Sequence, residues 1–233
     1  MAVAFDTGGK AAVEARIRCH AIAARPAALA SVMGWNNDLW QRQAPPSYPC
    51  LIDAGHVVAA LYGMYNVPQA VWIDEQGQRV RPAETAGSTD VTKIMDRTTF
   101  ELPVATAATS IATRDAYVDA IRDWARNGAQ SRFVLSPAEV RKRLQGPTAS
   151  DVEAAKHVRL GRYLFGQGAL EAAKAHFKEA VRLRPASWNY RRQAMMLDAD
   201  RIGEINTGQD FWDAVDANKH LPFYPPADFS REL

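Results

Sequence analysis

The feature that most constrains this chain is the stretch Tyr62–Arg81, YGMYNVPQAVWIDEQGQRVR. A proline stands directly before an apolar run, and an acidic-Gly turn separates that run from a second extended one. Val71-Trp72-Ile73 joins β-branched and aromatic residues, the composition of a buried strand. Asp74-Glu75-Gln76-Gly77 supplies turn formers and a glycine able to take positive φ. Gln78–Arg81 then returns as the partner strand of a hairpin. Pro68 has a further consequence. X-Pro bonds alone adopt cis at modest cost, and a proline just before a core strand can aim bare backbone groups at a ligand.

Ala2–Phe5 is a strand, Asp6-Thr7-Gly8-Gly9 a turn, and Lys10 to about Ala24 an Ala-rich helix that Pro26 interrupts. The segment Arg25–Ser47, with Trp35 and Trp40, is helical and then loop. Leu51–Ile52 is a short strand and Val57–Tyr62 a short helix. From Glu84 to Leu102 the sequence loses period and reads as loop, and Val104–Ile111 is ambiguous. Thr113 caps a helix over Arg114–Asn127. Ser136-Pro137-Ala138-Glu139 is a capping box with proline at the first helical position. Helices follow over about 150–166, 169–183 and 187–202. Leu221–Pro226 is an apolar extended tail expected to lie on a neighbouring surface.

At 233 residues the chain can form one large domain or two small ones. Its net charge of +2, from 28 basic and 26 acidic residues, gives no argument for nucleic acid. No apolar run is long enough to span a membrane, and the N-terminus lacks a basic segment followed by an apolar signal core. As written the chain is expected in the cytoplasm; with an N-terminal segment missing, it is expected outside it.

The two cysteines, Cys19 and Cys50, are far apart and fit neither a redox nor a metal spacing. The plain reading is two buried free thiols. The sharper one makes Cys50 and Cys19 weak catalytic candidates, with Arg16, Arg18 and His20 placed to lower the pKa of Cys19. The histidines, His157 and His176 among them, show no metal pattern, and no cofactor is expected. Arg141-Lys142-Arg143 reads as a solvated helix face.

Ala4-Phe5-Asp6-Thr7-Gly8-Gly9, Tyr48-Pro49-Cys50-Leu51-Ile52-Asp53, Gly63, Asn66-Val67-Pro68, Trp72-Ile73-Asp74 and Gly77 occur in family order. Over about Met1–Gly87 the chain thereby resembles the thioredoxin-like superfamily, in its TlpA/ResA-like (redoxin) branch. The resemblance implies an α/β sheet with helices, and thiol–disulfide exchange or peroxide reduction. It makes Val67-Pro68 the cis-proline step that faces the redox cysteines and binds extended substrate backbone. The family's catalytic Cys-x-x-Cys has no counterpart here. Met1–Asp6 looks like the family's second strand, and the first strand and active-site helix are missing. In the family that strand lies between those matching Ala2–Phe5 and Val71–Ile73, so its loss leaves a gap with unpaired edges. Three accounts follow: a misplaced start or lost upstream part, a sheet that closes differently with another chain's help, or a decayed remnant. The first is preferred. The chain as written is not expected to perform Cys-x-x-Cys chemistry.

Ala154–Ser187 resembles one tetratricopeptide repeat through Leu160, Gly161, Gly168, Ala173, Phe177, Ala180 and Pro185. Small residues let two antiparallel helices approach, Gly168 makes the turn, and Pro185 ends the second helix. His157 and Leu164 depart from the repeat pattern. The order of the two units is reminiscent of a bacterial subgroup of TlpA/ResA-like proteins. The expected domains are an incomplete thioredoxin-like domain over 1–90, a linker over 91–112, an all-α tetratricopeptide-like unit over 113–205 and a tail over 206–233. The expected partners are a protein or peptide at the proline loop or the helical repeat. The alternative to a redox enzyme is a non-catalytic peptide- or protein-binding module.

Overall fold

The computed structural model describes residues 1–5, 9–11, 48–144, 146–195, 197 and 208–229. Cys19, the expected helix from Lys10 and the Trp35/Trp40 segment lie largely or wholly outside these residues. Two compact units divide the chain. One comprises Met1–Ala24, Gln43–Tyr65 and Pro147–Leu221; the other includes Asn66–Gly146 and Pro222–Leu233. This cuts the chain differently from the expected domains. The first two strands and the first part of the expected tail belong with the helices from Pro147, and the segment from Pro222 belongs with the hairpin at Gln69–Thr85.

In the first unit, β1 (Ala2–Ala4) pairs in parallel with β2 (Cys50–Ile52), matching Ala2 to Cys50 and Ala4 to Ile52. Both thiols were expected to be buried, but Cys50 is exposed and free. The whole of β2 is exposed. Asp53 then starts α1 (Val57–Tyr62): its carboxylate accepts from the N–H groups of Val57 at 2.9 Å and Val58 at 2.7 Å. This answers the unpaired donors of a helix N-terminus. Gly63 closes the helix at φ 72°, a conformation that glycine adopts without steric cost.

The segment expected to be a repeat forms a helical hairpin of α4 (Ala149–Gly166) and α5 (Leu170–Leu183), numbered after α2 (Val104–Asn127) and α3 (Pro137–Arg143) of the second unit. Thr148 and Asp151 form a reciprocal capping box at the start of α4. Gly168 turns the chain at φ 76°, and the Ser150 hydroxyl donates to the Leu183 carbonyl at 2.8 Å, so the helices run antiparallel. Ala154, Val158 and Gly161 form the buried stripe of α4, facing Ala173, Phe177 and Ala180 of α5. A Cβ on Gly161 would come within 2.9 Å of the Phe177 ring, so this close approach requires a glycine. Leu160 does not share the packing role expected of it and is 43 % exposed. At about 100° per residue it lies off the Ala154–Val158–Gly161 stripe.

Helix α6 (Trp188–Met195) adds Tyr190 to this core, and α7 (Gln209–Ala217) places Phe211 against Trp188 at 5.8 Å between ring centroids. The expected tail from 206 therefore holds a helix. The Tyr65 carbonyl accepts from the Asn189 N–H at 3.2 Å, and Arg162 donates to the Gly55 carbonyl at 3.3 Å. These bonds tie the α1 region to the repeat and explain why the two share a unit.

In the second unit, β3 (Gln69–Ile73) and β4 (Arg79–Thr85) form an antiparallel hairpin with irregular register on either side of Trp72. Strand β4 runs past the expected Arg81, so the loop expected from Glu84 begins inside it. The Asp74 carboxylate accepts from Gln76 and Gln78 N–H at 3.0 and 2.7 Å, and Gly77 takes φ 76°. A 3-10 turn (Val91–Lys93) follows. Helix α2 (Val104–Asn127) starts ten residues before the expected Arg114 and takes in part of the expected linker. Thr113 does not cap it; its hydroxyl donates within the helix to the Thr109 carbonyl at 2.9 Å. Helix α3 (Pro137–Arg143) opens on the expected Ser136/Glu139 capping box. Arg143 is not simply solvated, since it pairs with Asp228 at 3.1 Å. Among the described residues no helix is long and apolar enough to cross a membrane.

Candidate functional site: the proline loop and the tail across it

The hairpin core fixes the loop. Trp72 is 2 % exposed, stacks on Trp124 with centroids 4.9 Å apart, and donates from Nε1 to the Tyr117 hydroxyl at 2.9 Å. Tyr117 passes a 3.2 Å bond to Glu84, and burial, then the Glu84 charge, push its pKa well above the ordinary tyrosine value. Arg81 grips Glu84 through two bonds of 2.7 and 2.8 Å, and both side chains are almost fully buried. A buried charge pair of this kind holds only where its remaining donors are satisfied. Arg81 spends them on the Phe133 carbonyl at 2.9 Å and the Asp228 carbonyl at 2.7 Å.

Immediately before β3, the Val67–Pro68 bond is cis. The backbone here is met by side chains as well as by strand partners. The Asn66 N–H donates to the Gln69 side chain at 3.2 Å, and the Val67 N–H to Asn66 Oδ1 at 2.9 Å. The Val67 carbonyl accepts from the Tyr224 hydroxyl at 3.1 Å, and the Pro68 carbonyl from the Ala86 N–H at 3.2 Å. The Asn66 side chain, in turn, donates to the Phe223 carbonyl at 2.8 Å. Asp90 accepts from the Phe223 N–H and, at 2.7 Å, from the Tyr224 N–H. The Asn66 carboxamide and the Asp90 carboxylate thus hold a stretch of tail main chain, and the tail's Tyr224 hydroxyl in turn holds the loop's Val67 carbonyl.

The cis step expected at Val67–Pro68 is present. Asn66, Asp90 and Tyr224 were not assigned a role. Asp90 fell in a segment read as loop, and the tail was expected only on some neighbouring surface. Cys50, the described catalytic candidate, belongs to the first unit and the proline loop to the second.

In the first unit the repeat residues Gly161, Ala173, Phe177 and Ala180 converge as expected, while Gly168 and Pro185 are exposed at the turn and the end. His157 and His176 meet across the two helices, with Nδ1 atoms 2.9 Å apart. Among the described residues no group of three or more side chains could hold a metal ion. His56 is buried, takes φ 50°, and burial pushes its pKa down to about 4. No protein-family model, curated protein or solved structure matches the chain.

Proposed function

We propose that this chain belongs to the thioredoxin-like redox lineage, in its TlpA/ResA-like branch, and acts as a non-catalytic binding module. In this reading the proline loop holds an extended peptide, and the tetratricopeptide-like hairpin docks a partner protein. The observation that carries it is the set of main-chain bonds at the loop. The Phe223 and Tyr224 N–H groups, the Phe223 carbonyl and the Val67 carbonyl all find side-chain partners there. Main-chain bonds give affinity for an extended segment, and flanking pockets give specificity.

Thiol–disulfide exchange needs a thiolate and a second, resolving thiol. The chain's two cysteines, Cys19 and Cys50, do not form a Cys-x-x-Cys, and Cys50 is free and exposed. The reading therefore expects peptide binding without reductase turnover. The test is an insulin-reduction assay run beside a binding screen against extended peptides. Peptide binding with no turnover supports the proposal. Turnover that is lost in Cys50→Ser or Cys19→Ser overturns it and restores the catalytic reading.

A further inference from the structure

Within the second unit the segment Pro222–Phe229 has the attributes of a bound peptide. Side chains, not strand partners, meet its main chain. Asp90 accepts two consecutive N–H groups, Asn66 donates to the Phe223 carbonyl, and Arg81 and Arg143 donate to the Asp228 carbonyl at 2.7 and 3.0 Å. Two rings are seated. Phe223 is 3 % exposed with Lys93 Nζ 4.4 Å above its centroid. Phe229 lies 4.9 Å from the Arg81 guanidinium and 5.1 Å from the Phe133 ring. Both are cation–π seats. Pro222, Pro225 and Pro226 favour an extended chain and bring no N–H that would need a partner.

We propose, resting on the peptide-binding reading above, that this surface takes extended segments in which paired aromatic residues are followed by prolines. The chain's own tail is its resident occupant and leaves before an external segment docks. The chemistry sets the selectivity. The seat under Lys93 wants an aromatic face, Asp90 wants two free N–H groups in a row, and Asn66 wants the carbonyl between them. A proline in place of Phe223 or Tyr224 would remove one of the two donors that Asp90 binds. Because the tail is tethered, it competes at an effective concentration on the order of millimolar. An external segment therefore sees only the fraction of molecules whose tail is released.

The test uses the full chain and a fluorescein-labelled synthetic peptide of the sequence Pro222–Phe229, followed by fluorescence anisotropy. Wild type is compared with Phe223→Ala, which loosens the tail, and with Tyr224→Phe, which removes only the hydroxyl bond to Val67. The expected result is binding about tenfold or more tighter to Phe223→Ala than to wild type, since a lost buried ring releases the tail. Tyr224→Phe is expected to gain a smaller factor of about two to ten, the value of one hydrogen bond. Equal affinity for all three proteins overturns the tail as occupant and leaves the peptide-binding reading standing. Absence of binding to all three, with unchanged far-UV circular dichroism, overturns both. Should Phe223→Ala fail to fold, Tyr224→Phe decides alone: a gain supports the proposal, and no gain overturns it.

Discussion

Replacing Gly161 by alanine sets two opposed effects against each other. In a helix interior, alanine is about 1 kcal/mol better than glycine. Against this, the new Cβ would lie 2.9 and 3.0 Å from two carbons of the Phe177 ring and 3.3 Å from the Ala173 carbonyl oxygen. Phe177 is 0 % exposed, so its ring cannot swing into solvent. Overpacking a filled core costs about 1–3 kcal/mol. The contact wins: Gly161→Ala should lose about 1 kcal/mol net, and Gly161→Val more.

Two controls separate the causes. Gly166, in the same helix, has nothing within 4 Å of an added Cβ, so Gly166→Ala should be neutral or gain up to about 1 kcal/mol. Gly168 also has open space but sits at φ 76°, so Gly168→Ala should lose about 1–2 kcal/mol through backbone strain alone. The assay is urea titration with hydrogen exchange read at the α4 and α5 amides, which reports on the repeat without assuming that the two units unfold together. A Gly161→Ala protein as stable as wild type, beside a Gly166→Ala protein that behaves as stated, would refute the packing argument.

Three further outcomes are expected. Arg81→Met should cost about 3–5 kcal/mol because it strands the buried Glu84 carboxylate, and Arg81→Met/Glu84→Leu should recover part of that, measured by denaturant unfolding. His56 has a folded pKa of about 4 against an ordinary 6.5, so below pH 6.5 the unfolded chain binds a proton that the folded one refuses. Stability should fall between pH 6.5 and about 4 by up to roughly 3 kcal/mol and then level off, and His56→Asn should flatten that slope in a pH series of melts. Cys50 should react with an alkylating reagent in the native chain at the rate of an open thiol, whereas modification only on unfolding would contradict its exposure.

Local signals made part of this fold legible. The hairpin showed because an Asp-x-x-Gly turn lies between two extended runs, and α3 showed through a capping box whose partners are three residues apart. The α4–α5 hairpin showed because Gly161 and Ala173 are small where two helices touch. Other parts left no local trace. Val104–Thr113 is rich in threonine and alanine, a weak signal for either helix or strand, and its helical state depends on the long α2 that it begins. Helix α7 is short, and its Phe211–Trp212 pair gives little period. The site depended most on distance in sequence: Asp90 meets Phe223 across 133 residues, and Asn66 meets it across 157. No spacing rule connects such positions. Leu160 misled because a match to a sequence pattern does not fix which face of the helix is buried, and it lies off the Ala154–Val158–Gly161 stripe.

Amide hydrogen exchange at Phe223 and Tyr224 measures directly whether the tail is a removable ligand of the proline loop, as proposed. Bonds from both N–H groups to Asp90 should slow exchange. Opening should occur at a lower free energy than that of the Trp72 and Val80 amides in the hairpin, because the tail detaches while the core stays folded. Exchange of all four amides only at the free energy of global unfolding would make the tail part of the core. Exchange of Phe223 and Tyr224 at the unprotected rate would mean that it does not dock at all.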